Sequence, residues 1–152
     1  MEDIMKKIAT TLLLTGIFLH NLYAEPSTLT TQEFPKQELQ KQKVEVATMV
    51  SEEISKTLPQ KIDDYTVLTK VTHDGPTIVY TFEINSGAKS DDAIIKEDHS
   101  RMQRAVMQGV CQSSRKFLAA GINTRYIYIS SKSKRELFVF NITQNECDRV
   151  LK

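Results

Sequence analysis

The sequence predicts a two-layer α+β domain, with a four-stranded antiparallel sheet and two main helices in the order α-β-β-α-β-β, held by one disulfide. Three observations lead there. Two stretches carry apolar residues at helical spacing, and each is followed by two shorter stretches rich in β-branched and aromatic residues. Glycine, proline and aspartate separate the paired stretches. Finally, Cys111 and Cys147 are the only cysteines in the chain, and they flank its last strands.

Residues 5–24, MKKIATTLLLTGIFLHNLYA, stand apart. Lys6 and Lys7 form a basic start, Ile8 to Leu19 an apolar run, and Leu22-Tyr23-Ala24 a cleavage site before Glu25. A membrane anchor is the other reading, but the run is well short of the roughly 20 residues a spanning helix needs. Residues 1–24 are therefore expected to be a removable signal peptide, leaving no stable membrane span. Residues 25–37, with two prolines and no period, read as a flexible leader, and residues 38–152 as a single domain.

The first helix is marked by Leu39, Val46, Val50, Ile54 and Leu58, with Ala47 beside them, and Pro59 stops it. Val67, Leu68 and Val71 suggest a strand, Asp74-Gly75-Pro76 a turn, and Ile78, Tyr80, Phe82 and Ile84 the inward positions of the next strand. Ser90 followed by Asp91 and Asp92 reads as an N-cap with an acidic first turn. The second helix falls within residues 90–120, with Ile95, His99, Met102, Val106, Val110 and Phe117 on its apolar side. That is long for one helix, so a break is expected near Ser100 or Gly109, and Gly121 suits the position just past its end. Tyr126 to Ile129 and Leu137 to Ile142 close the sheet around the charged turn SSKSKR.

In an oxidising compartment two cysteines in a small domain are most simply a disulfide. A redox CxxC needs a far shorter spacing. A zinc site needs four ligands, and the mature chain adds only His73 and His99. Cys111 and Cys147 are thus expected to pin the second helix to the C-terminal edge of the sheet.

Tyr80, Phe82, Tyr126, Tyr128, Phe138 and Phe140 alternate along three strands and should form one face packed on the helices. The opposite face, Val79, Ile127, Ile129, Leu137 and Val139, is also apolar, so either the first helix or a partner should cover it. Charge is uneven too: residues 25–100 carry 8 basic and 14 acidic groups, residues 101–152 carry 10 and 3. Either the halves neutralise each other, or a basic face awaits an acidic partner. Nucleic acid is excluded as a partner by export and by near-neutral total charge.

No GxSxG, HExxH or phosphate loop is present. His99 reads as a partly buried histidine rather than a base, His73 as a solvated turn residue. Asp91, Asp92, Glu97 and Asp98 read as a solvated helix start rather than a cation site, since their spacing matches no calcium loop. Asn141-Ile142-Thr143 fits a glycosylation sequon inside a strand, a common chance match. No cofactor, metal or catalytic residue is expected. The candidate partner-binding residues are Arg101, Arg104 and Arg115 on the second helix, with Lys132, Lys134 and Arg135 in the last turn, because residues 101–135 hold no acid.

A helix ending in Leu58-Pro59, a β-hairpin, a helix carrying Cys111, then Leu118, Gly121, Tyr126, Tyr128 and a closing Cys147 resembles the small disulfide-bonded pilotins of type II secretion systems over residues 45–147. The resemblance implies an α/β fold, a periplasmic location and a role in helping the outer-membrane secretin reach its place and assemble. Those proteins are typically lipid-anchored through a cysteine at the cleavage site, where this chain has Ala24-Glu25. The expected function is an exported, periplasmic or secreted, non-enzymatic protein-binding or assembly accessory of a secretion, pilus or conjugation apparatus, with an envelope or secretion component as partner. The alternative is a periplasmic inhibitor or immunity protein against a toxin or cell-wall hydrolase. Exported protein should have the intact mass of a chain starting at Glu25; material retaining residues 1–24 would contradict the cleavage.

Overall fold

The computed structural model describes residues 35–150. The signal peptide read over residues 1–24 and most of the leader lie outside them. Helix α1 spans Lys36–Ser55 and takes in the leader's last two expected residues. Its buried side chains, Ala47 and Ser51, are small and one turn apart, so the helix backbone can approach the sheet closely. Val46, Val50 and Ile54 pack beside them, whereas Leu39 at the head of the expected stripe is 46% exposed. Ser55 Oγ donates to the Val71 carbonyl at 2.9 Å.

A cis Leu58–Pro59 bond leads into β1 (Gln60–Lys61), which pairs with β2 (Thr66–Asp74). The hairpin from β2 to β3 (Thr77–Ile84) forms as expected, with Gly75 at φ 54° in its tight loop. Helix α2 spans Asp91–Ser113; Ser90 Oγ accepts from the Ala93 N–H at 3.3 Å, and Asp91 and Asp92 fill the first turn. The break comes at Ser114 rather than near Ser100 or Gly109, and is followed by α3 (Arg115–Ala119). A mid-helix glycine costs only about 1 kcal/mol, and Met107, Val110 and Cys111, all buried, hold the helix on both sides of Gly109. Gly121, at φ 78°, ends α3: its N–H reaches the Leu118 carbonyl and that of Ile122 the Phe117 carbonyl, both at 2.9 Å.

Strands β4 (Asn123–Ser130) and β5 (Glu136–Ile142) follow, and α4 (Gln144–Val150) ends the described chain. The expected four-stranded antiparallel sheet is corrected to a five-stranded mixed sheet in the order β1-β2-β3-β4-β5. β3 and β4 run parallel, in register from Thr77–Asn123 to Ile84–Ser130. Residues 85–122 carry the chain back along the helices, so β4 enters from the same end as β3; a helical crossover does this and a tight turn cannot. β1, with two residues, is too short to show a period.

The aromatic face is real. Ring centroids lie 5.0 Å apart for Tyr80 and Tyr126, and 4.9 Å for Phe82 and Tyr128. Both long helices pack on it: α1 along β2 and β3, where Thr48 Oγ1 lies 3.2 Å from His73 Nε2, and α2 along β5, where the His99 ring lies 5.6 Å from Phe140. The first helix therefore does not cover the opposite face. There Val139 is 36% exposed, Arg125 bridges Asp74 and Asn141, and Lys134 pairs with Glu83.

Cys111 and Cys147 are bonded, with Cα atoms 5.4 Å apart. The bond ties α2 to α4, a helix, rather than to the sheet edge itself. Replacing both cysteines with alanine should lower stability in urea unfolding by about 4 kcal/mol, within a range of about 2–5, because the closed loop no longer restrains the unfolded chain. An unchanged midpoint would refute this.

Burial also raises three phenols above their ordinary range: Tyr80, Tyr126 and Tyr128, the last pushed up to about 12. The folded state favours the neutral rings. Their contribution is complete below about pH 10, where unfolded tyrosines begin to ionise, and is lost as pH rises from there through the folded values. A spectrophotometric titration should show delayed ionisation of these rings while the protein is folded and falling stability above pH 10; titration of every tyrosine near pH 10 with the fold intact would contradict it.

Candidate functional site

The six candidate cations do not form one patch. Arg135 Nη1 lies 2.7 Å from Asp92 Oδ1, Lys134 Nζ lies 2.9 Å from Glu83 Oε2, and Lys132 donates to the Gly87 carbonyl. Ser133 Oγ, between them, donates to Asp91 Oδ2 at 2.6 Å. The turn is thereby fastened to the first turn of α2 and to β3, and basic groups of the second half neutralise acids of the first. The Ser133 hydrogen bond holds the Asp91 carboxyl below its ordinary range.

On α2 the arginines diverge. Arg101 pairs with Asp98 at 2.8 Å and borders a groove of about 550 Å³. Arg104 faces a separate cleft beside β5. Arg115, exposed, starts α3. Among the described residues neither Arg104 nor Arg115 pairs with a carboxylate.

The groove runs between α2 and the end of the sheet. Ile94, Met102 and Ala105 of α2 form one wall, Ile84 and Phe138 come from the sheet, and Tyr65 stands at the mouth, 68% exposed. Asp63 fixes this mouth: its Oδ1 accepts the Tyr65 N–H at 2.8 Å, and that bond holds its carboxyl below the ordinary range. Charges ring the apolar floor. Lys89 Nζ lies 2.9 Å from Glu97 and 3.8 Å from Asp98, which in turn holds Arg101. Of the acids read as a solvated helix start, Asp92, Glu97 and Asp98 thus sit in pairs with cations and Asp91 accepts from Ser133, and no three metal-ligating side chains converge among the described residues.

His99 is exposed and outside the groove, its ring against Phe138 and Phe140. His73 is tied to Thr48 and the Gly75 carbonyl. What the groove offers is an apolar trough with a charged rim, suited to the nonpolar side of a peptide segment. Of its residues only Arg101 was a sequence candidate. Tyr65, an aromatic beside Asp63-Asp64 in a polar run, was the available signal. Among the described residues no helix is long and apolar enough to cross a membrane.

The fold is similar to those of three solved structures. A candidate secreted protein from Pseudomonas aeruginosa aligns with a TM-score of 0.63 at 14% identity, over 72% of this chain and 96% of that one. The type 2 secretion pilotin EpsS of Vibrio vulnificus gives 0.56 at 16%, over 73% and 96%. The type II secretion pilotin AspS of Vibrio cholerae gives 0.57 at 17%, over 73% and 97%. At such identities the likeness is one of fold. No match was found among the curated proteins. A family model matches residues 41–138, from the second turn of α1 into β5, and the chain belongs to that family, described as Domain of unknown function (DUF8479).

Proposed function

We propose that the protein is an exported, non-enzymatic accessory that binds a component of an envelope apparatus, in the manner of a pilotin, in the periplasm. The observation that carries this reading is the apolar groove between α2 and the sheet, on a fold similar to two secretion pilotins. A trough of this size with Phe138 on its floor and Tyr65 at its mouth fits the apolar side of an amphipathic segment better than it fits a reacting substrate. The disulfide supports an oxidising compartment. The second reading, an inhibitor or immunity protein, would use the same groove for a toxin or wall hydrolase.

A photo-crosslinking residue at exposed Ala105, in the full chain expressed in its native host, tests both. The expected adduct is an envelope or secretion component, and Ala105→Trp, which fills the groove, should weaken its capture roughly tenfold with the melting temperature unchanged. A toxin or hydrolase in the adduct would replace the first reading with the second. Capture indifferent to Ala105→Trp would remove the groove from either.

A further inference from the structure

We propose that the outer edge of β5 is a second docking site, separate from the groove, that takes an extended acidic peptide segment as an added antiparallel or parallel strand. β5 ends the strand order, so its outer edge has no ladder partner among the described residues. In its antiparallel pairing with β4, alternate residues of β5 point their N–H and C=O groups away from the sheet. A cleft of about 540 Å³ runs along this edge, between it and helices α2 and α4. Val139, Phe140 and Asn141 all line it. Their side chains alternate between the two faces of the sheet, so what the three consecutive residues share toward the cleft is the main-chain edge.

Chemistry at the rim selects the occupant. Arg104 and Arg149 border the cleft, and neither is paired with a carboxylate among the described residues. Glu146, the acid beside them, is spent on its own helix start, where its Oε2 accepts the Thr143 N–H at 3.0 Å. Val139 at 36% exposure and Val150 at 50% give apolar purchase between the two cations. An extended segment alternating carboxylates with small apolar residues meets all of these at once. A second copy of the chain answers them less well: pairing β5 with β5 would set two Arg104 and two Arg149 side chains against only the two exposed Glu136 side chains that the strands themselves carry.

The probe is a capped peptide matched in length to the seven residues of β5 and alternating glutamate with valine, added to the full mature chain. Binding should weaken as salt rises, and should fall roughly tenfold in the Arg104→Gln/Arg149→Gln double variant while the melting temperature stays put. Hydrogen exchange should slow at the outward amides of β5 and not at Ala105 or elsewhere in the groove. Methylating alternate peptide amides should abolish binding in one phase and spare it in the other, because only one phase faces the ladder. Any of four outcomes overturns the proposal: no binding up to millimolar peptide, equal binding of a lysine–valine peptide, indifference to the methylation phase, or β5 amides already protected in a self-associated chain. The last would give the edge to a second copy. None of them bears on the Ala105 crosslink, so the two sites stand or fall separately.

Discussion

Parallel pairing of β3 with β4 is the constraint on which the other features depend. It joins two hairpins into one sheet and obliges residues 85–122 to cross over a single face. Once α2 lies there, the aromatic side chains of β3, β4 and β5 share one layer under it, and α1 completes the cover along β2 and β3. The central rings, Phe82, Tyr126 and Tyr128, lie 4.9–5.4 Å from their stacked neighbours across the β3–β4 seam. Such pairs add about 0.5–1.5 kcal/mol each beyond the area they bury. Phe138, 2% exposed, and Ile142, fully buried, then seal β5 against α2.

The same seam explains the charge asymmetry of the sequence. With β3 beside β4, the acids Asp74 and Glu83 come from one half of the chain and their partners Arg125 and Lys134 from the other. The last turn reaches Asp91 and Asp92 in the same way. These pairs are exposed, and exposed pairs contribute about 0–1 kcal/mol each. Their effect is on arrangement more than on stability: they use up the cations of the turn and leave those of α2 and α4 to define surfaces.

Much of the fold could be read from residue patterns, and the exceptions have physical causes. The alternation of Tyr80, Phe82, Tyr126, Tyr128, Phe138 and Phe140 identified a buried face, because a strand's period is local. Ser90, Gly75 and Gly121 were legible for the same reason: cap and turn chemistry is decided within a few residues. Strand direction was not read, although the order β-α-β itself implies a parallel pair; two clear hairpins drew the reading toward an antiparallel sheet. α4 was missed because NECDRV has no apolar stripe, only a buried Cys147 and the Thr143–Glu146 cap. At the sites, Arg101 and Arg104 were found, but their three-residue spacing suggested one stripe. On the folded helix they border different hollows, because Phe138 and Phe140 of β5 belong to different ones. A groove built from residues 63–66, 84–89, 94–105 and 138 has no signature in any single segment.

The disulfide sets how these two hollows behave mechanically. It joins α2 near its end to α4, so the cleft's walls are held by a covalent bond, while the groove's mouth rests on the loop at Asp63–Tyr65 and on salt-screened pairs around Lys89. A segment ordered only by hydrogen bonds and exposed ion pairs opens at lower cost than one crosslinked to the core. Of the two proposed sites, the groove is accordingly the one whose mouth opens at lower cost, and the β5 cleft the one with crosslinked walls. For the accessory role proposed above that division would be useful: a strand edge reads an extended segment through its backbone, and an apolar trough accepts side chains of varying size. α2 walls both, with Met102 and Ala105 in the groove and Arg104 and Met107 in the cleft, so the two proposed sites share one helix.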